Sequence, residues 1–256
     1  LGRIRYEALL PSFLAAVIAD YTCLAWGVGH TQYSIPLVPG MTIIGFACAL
    51  VAGATFGLAG MVFARSTHFL TAQFRSAIAY PPFRPLLGGA VIALVVWLMG
   101  TTKYIGLGIP TILEAFEQTL PWYDAFVKIV LTAFTLGAGF KGGEVTPLFF
   151  TGATLGNALA QVLPLPMALL AGMGFVAVFS GATNTPLTCT IMGIELFGAE
   201  SSVFIALACV TAYLFSGHSG IYGSQLIDTP KHIFYGRERD KTLSSVAAAR
   251  RRKRRG

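Results

Sequence analysis

The sequence predicts an all-α fold, a polytopic membrane bundle in which several helices are broken or re-entrant. Three observations lead there. Of 256 residues, 55% are apolar and only 11% charged, with a mean hydropathy of +0.69; a soluble domain carries roughly 25% charged residues, so this surface needs lipid. The apolar residues fall into runs, the first two near the length of one membrane crossing and the later ones shorter. Glycine-rich polar stretches interrupt those later runs at three places.

The first run, about Ala8 to Val28, is long enough for one crossing. A polar, Pro-containing stretch, His30 to Gly40, separates it from a second, Met41 to Ala64, where Gly53 and Gly57 form a G-x-x-x-G pair. Small residues at that spacing let helices approach closely in lipid. Arg65, Arg75 and Arg84 follow, expected in a loop with Pro81-Pro82. Arg3 and Arg5 precede the first run, and His30–Gly40 holds no Lys or Arg. The positive-inside rule then places both arginine-bearing ends in the cytoplasm and the first hairpin tip outside.

The remaining runs are Leu86–Gly100, Ala125–Gly139, Pro147–Leu163, Met167–Ser180, Pro186–Phe197 and Val203–Phe215. Several fall short of the roughly 20 residues of a simple span. In so apolar a chain they read as tilted, re-entrant or broken helices. Irregular backbone at membrane depth survives only inside protein or along a polar cavity, so the breaks between these helices point to an ion or substrate site.

The first break is Gly137-Ala138-Gly139-Phe140-Lys141-Gly142-Gly143-Glu144-Val145-Thr146-Pro147. Its formal G-x-G-x-x-G does not read as a dinucleotide fingerprint, because no strand precedes it and no acid stands about 20 residues on. It reads instead as a glycine-rich turn into a helix starting near Glu144, with Pro147 in the first turn. Unblocked amides and the helix dipole make such a start a ready anion site. Glu144 has two readings there. It either caps its own helix, or it alternates between protonated and ionised forms and couples proton to anion movement.

The second break, Phe179–Pro186, again enters a helix at a proline, with Glu195 further along as either a packing carboxylate or a proton-pathway member. The third, Phe215–Ser224, sets Tyr222 among glycines. Its hydroxyl is expected either in a packed interior as an anion ligand or at the membrane interface as an anchor.

At these breaks the sequence resembles the CLC family of chloride channels and anion/proton antiporters. Gly143-Glu144-Val145-Thr146-Pro147 matches the family's G-x-F-x-P position at the start of its helix N. Thr183–Thr188 resembles the start of its helix P, and Tyr222 falls at its ion-coordinating tyrosine. The likeness runs from about Leu1 to Tyr235, as helices I to R. Val145 and Glu144 depart from the common pattern, and Gly-Gly-Glu-Val-Thr-Pro resembles the bacterial fluoride-exporting branch. The resemblance implies an anion site at Gly143, Val145, Thr146 and Tyr222, with Glu144 coupling protons. It also implies a homodimer with contacts from Ala8–Val28, Pro186–Phe197 and Ser201–Phe215. The family's N-terminal half, with its gating glutamate, is expected to be missing, so this chain alone is not expected to transport.

Fluoride is small and strongly hydrated, and stripping its water demands close donors: amides, the Thr146 hydroxyl, the Tyr222 phenol and a protonated Glu144. Fluoride out against protons in is the expected exchange. A chloride-selective channel or exchanger, a membrane-embedded enzyme and a non-transporting subunit are the rival readings; no nucleophile–base pair or metal motif supports the enzyme. No cofactor is expected. Cys23, Cys48, Cys189 and Cys209 stand in apolar runs without a C-x-x-C pair and read as small buried hydrophobes. Residues 1–236 are read as the transmembrane domain and 237–256 as a basic cytoplasmic tail. Its run Arg250–Arg255 accounts for nearly all of the +7 net charge and faces anionic lipid rather than nucleic acid.

Overall fold

Helix α2, Ile43–Ala77, runs 35 residues, about 52 Å at 1.5 Å per residue. That exceeds the roughly 30 Å of a hydrocarbon core, so it must tilt or emerge. Thr42 caps it, its hydroxyl accepting from the Gly45 amide at 3.0 Å. The computed structural model describes residues 6–29, 31–228, 230–231 and 238–253. The expectations resting on Leu1–Arg5, on His30, and on the domain boundary and likeness near residues 235–236 lie outside these, as do the last arginines, 254 and 255.

Two compact units emerge, residues 34–222 and, separately, residues 1–33 with 223–256. The larger holds α2 and seven further helices: α3 Phe83–Met99, α4 Ile109–Glu117, α5 Asp124–Gly137, α6 Val145–Leu159, α7 Met167–Thr183, α8 Pro186–Phe197 and α9 Ser202–Phe215. No strand occurs among the described residues. Among the described residues only α2 is long and apolar enough to cross a membrane unaided; α3, α7 and α8 are apolar helices of 10–17 residues. The expectation of short, interrupted helices is met.

Two expectations need correction. Arg65 and Arg75 lie on α2 and Arg84 in the first turn of α3, not in a loop, because no glycine or proline interrupts the chain between Ala64 and Ala77 and the turn is confined to the residues around Pro81-Pro82. Helix α4 was not foreseen. It starts after Gly108 in the left-handed conformation, carries Pro110 in its first turn, and buries Thr111, Ile112, Ala115 and Phe116. Nine residues bearing Glu114 and Glu117 leave little apolar signal.

Helix α7 is the core, buried on nearly every face. Helix α6 crosses it where Gly152 and Gly174 meet backbone to backbone; a Cβ on either would collide with the other's carbonyl. In α2, a Cβ on Gly53 would lie 2.8 Å from the Thr211 side chain, and one on Gly57 would strike the Ala212 carbonyl. The G-x-x-x-G pair thus packs against α9, and dispersion at close approach replaces a hydrophobic drive that lipid cannot supply.

Polar groups inside are matched. Asp124, fully buried, accepts from the Tyr104 hydroxyl at 2.7 Å and from the Lys103 ammonium. Lys128, also buried, donates to the carbonyls of Tyr104 at 3.0 Å and Gly106 at 2.8 Å and stands over the Phe150 ring. Asn157 ties α6 to the end of α4, accepting from the Leu120 amide and donating to the carbonyls of Ala115 and Gln118. Cys48, Cys189 and Cys209 are buried free thiols, while Cys23 is half-buried.

In the smaller unit, helix α1 spans Leu9–Ala25. Part of the expected tail is folded: a final helix, α10, covers Leu243–Lys253. An isolated bridge joins Leu226 and Thr242, and Ile227, Leu243 and Val246 form a small core beside it. Arg250 closes the fold with both oxygens of Glu238, at 2.9 and 3.0 Å.

Candidate functional site

Helix α5 ends at Gly137, and Gly139 turns the chain at φ +101°, a conformation that costs glycine nothing. Helix α5, and not a strand, leads into this break. Phe140 is the last residue of the turn whose amide finds an acceptor, the Thr135 carbonyl at 3.4 Å. Among the described residues no protein group accepts from the amides of Lys141, Gly142, Gly143, Glu144, Val145 or Thr146. Pro147 follows, buried. Six consecutive amides are therefore free at the start of α6.

Glu144 occupies the N-cap position, yet its side chain makes no capping bond. The reading in which it satisfies its own helix start does not hold here. The half-buried carboxylate faces His68 of α2 instead, close enough for an electrostatic interaction. Both line a cavity of about 440 Å³, with Arg75, Arg84 and Lys141.

Sequence reasoning passed over His68, an isolated histidine in an apolar helix with no motif around it. Its Nε2 bonds the Gly220 carbonyl at 2.9 Å, and that carbonyl lies two residues before Tyr222. The same loop is held from a second side. The Ile221 amide donates to the Ala182 carbonyl at 3.0 Å, and the Asn184 side chain donates to the Ser219 carbonyl at 3.2 Å. Asn184 itself ends α7 in the left-handed conformation, φ +61°, just before Pro186 opens α8. The second and third breaks thus touch, and His68 links the third to the cavity of the first.

The predicted residues sit as follows. Gly143 is exposed, while Val145 and Thr146 are half-buried in the first turn of α6. Tyr222 is 50% exposed, so within this chain its ring is not in a packed interior. Gly217, at φ +60°, turns His218 and Ile221 inward in its place. Glu195 projects from α8, exposed and without a hydrogen-bond partner among the described residues, which leaves no packing role for it within this chain. Gly142, Gly143 and Pro147 also border an apolar cleft of about 810 Å³ between α3 and α5. The glycine break therefore forms a thin wall between a polar cavity and an apolar one.

Short apolar helices broken at glycine and proline, with unpartnered amides at the start of α6, fit an integral, multi-pass membrane bundle. Residues 1–217 match the voltage gated chloride channel family, and the chain belongs to that family. A chloride/fluoride channel protein of Pseudomonas syringae pv. tomato is 50% identical over 238 residues, covering 91% of this chain and 53% of that protein. A voltage-gated ClC-type chloride channel, ClcB, of Salmonella typhimurium is 26% identical over 241 residues, covering 86% and 56%. Among solved structures, that of a CLC-type fluoride/proton antiporter matches with a TM-score of 0.84 at 35% identity, over 88% of this chain and 57% of that one. The chain spans about half the length of the curated relatives it matches. The fold is that of a CLC transport protein, and the relatives are transporters and channels, not enzymes.

Proposed function

We propose that this chain forms one wall of a fluoride/proton antiport pathway that exports fluoride across the cell membrane. The observation that carries the reading is the start of α6, where six free amides stand beside a carboxyl group that does not cap them. Gly143, Val145 and Thr146 contribute the amides and the Thr146 hydroxyl, and Tyr222 adds a phenol from the neighbouring loop. Short donors of this kind replace the water that a small anion must shed. Glu144 takes up a proton and, in that form, donates to the anion; when it ionises, its charge repels the anion from the same amides. One side chain thereby links the two fluxes.

The relative named for chloride and fluoride, and the solved structure named for fluoride/proton antiport, support the choice of fluoride. Chloride conduction is the second reading, favoured by the name of the more distant ClcB. The proposed assembly is a homodimer with α1, α8 and α9 at the contact. These helices display exposed Phe13, Ile18, Leu187, Ile191, Val203 and Val210. Residues 1–236 would lie in the membrane and the basic tail, 237–256, in the cytoplasm against anionic lipid.

The test is efflux from liposomes holding the full-length protein, with fluoride and chloride measured side by side and proton flux recorded. Glu144→Gln should abolish fluoride efflux or uncouple it from protons. Coupled exchange surviving that substitution sinks the role given to Glu144, and chloride outrunning fluoride favours the second reading.

A further inference from the structure

We infer that the apolar cleft between α3 and α5 is a binding site for a long-chain fatty acid, its carboxylate on the Lys128 ammonium and its tail running between the helices toward the glycine break. Such a site lies apart from the polar cavity of Glu144 and is independent of which anion the protein carries.

Gly88 is the buried residue of α3, and a Cβ on it would strike the Ala138 side chain just past the end of α5. The two helices meet closely there. Further along, Ile92 and Val96 of α3 form one wall of the cleft, and Leu131 and Leu136 of α5 form another. Tyr104 and Gly106 border it beyond the end of α3, and Gly142 and Gly143 border it at the break. The volume, about 810 Å³, falls within the roughly 300–1,000 Å³ of small-molecule pockets. It suits a single acyl chain.

Lys128 is the one charged residue of the lining, and it is 1% exposed. Two of its three N–H groups go to the carbonyls of Tyr104 and Gly106, and the ammonium stands 4.8 Å from the centre of the Phe150 ring. Those partners are all neutral. Lys128 makes no ion pair among the described residues. Asp124, one turn earlier on α5, is taken by Lys103 and the Tyr104 hydroxyl. Two lysines to one aspartate leave a positive charge in excess, and a buried charge without a counter-ion is costly. A carboxylate entering from the cleft answers that charge through the third N–H.

The surroundings determine what reaches Lys128. Trp97 near the end of α3, and Trp122 and Tyr123 just before α5, are exposed, as aromatic side chains are at a membrane–water interface. Lys128 lies about 6 Å along α5 from Asp124, just below that level. Moving an acyl tail from the bilayer into the cleft exchanges one apolar setting for another and gains little. The head therefore decides occupancy. An ionised carboxylate is held, and its ester is not. One remaining N–H suits one carboxylate oxygen, and the burial of Lys128 disfavours the bulkier phosphoglycerol head of a phospholipid.

The experiment uses the purified full-length protein in a neutral detergent and stearic acid brominated at mid-chain, which quenches tryptophan at short range. Trp97 lines the cleft, so the signal is the portion of quenching that Trp97→Phe removes. It should saturate, and unlabelled stearate should compete where methyl stearate does not. Lys128→Met should raise the half-quenching concentration roughly tenfold, as expected for one charge-assisted hydrogen bond. Ala93→Phe, which fills the cleft and leaves Lys128 in place, should abolish the saturable quenching. Quenching that never saturates, or that ignores Lys128→Met and Ala93→Phe, overturns the site. Equal competition by methyl stearate overturns the role of the carboxylate. Absence of any quenching at Trp97 overturns the site as well and assigns the cleft to protein from outside this chain. Stronger competition by phosphatidylglycerol than by stearate overturns the choice of ligand in favour of a phospholipid head.

Discussion

The Nε2–H of His68 donates to the carbonyl of Gly220 at 2.9 Å, across 152 residues of sequence. This bond joins helix α2, which faces Glu144, to the loop that presents Tyr222. His68 thereby ties the wall of the cavity that Glu144 lines to the loop that precedes Tyr222.

His68→Ala should loosen residues 217–222 without unfolding the bundle, because the ring is exposed apart from this bond. Hydrogen exchange should quicken at Gly220–Tyr222 while α7 stays protected. Losing one such bond amounts to about 1 kcal/mol. Unchanged exchange in the loop would show that the Ile221 and Asn184 contacts suffice to hold it.

Thr146→Val and Tyr222→Phe each remove one hydroxyl donor from the proposed fluoride site. Each should weaken fluoride binding by roughly fivefold to tenfold, the equivalent of about 1 to 1.5 kcal/mol. The double variant should lose about the product if the two donors act independently. Isothermal titration with fluoride, with chloride as the control, reads this directly.

Gly152→Val should be among the most damaging substitutions in the chain. Any side chain at this position meets the Gly174 carbonyl, which belongs to a backbone with nowhere to move. Overpacking of this kind costs about 3 kcal/mol or more. The readout is the thermal midpoint in detergent, with Gly143→Ala as the comparison, since a Cβ there meets nothing within 4 Å.

Asp124→Ala should destabilise by roughly 3 to 5 kcal/mol, since it leaves Lys103 and the Tyr104 hydroxyl without their shared acceptor in a buried setting. Lys128→Met should cost less, because Met fills similar volume beside Phe150 without a charge to bury. A larger loss for Lys128→Met than for Asp124→Ala would reverse the assignment of which group anchors the 103–107 segment.

Much of the architecture was readable before any coordinate. Pro186–Phe197 begins and ends where its proline and glycine place it, and the apolar runs around Met167 and Val203 became α7 and α9 with small shifts at their ends. Helix α4 was hidden because an amphipathic nine-residue segment with two glutamates carries no membrane signature. The arginines of α2 misled for a related reason. Charge marks where a helix leaves lipid, and not where it stops being a helix.

By itself the sequence determined the solvent and the punctuation of this protein. Composition demands lipid, glycine and proline set the three breaks, and Glu144, Thr146 and Tyr222 mark themselves by being polar where the chain is otherwise apolar. Only the tertiary structure decided what those breaks become. That Glu144 does not cap α6, that His68 spans from its cavity to the Tyr222 loop, and that Arg75 and Lys141 line one cavity all depend on contacts between residues far apart in the chain. Local pattern reports what a residue prefers beside its neighbours; partners across the bundle are set by how close the helices come, and here Gly53, Gly57, Gly152 and Gly174 set that distance.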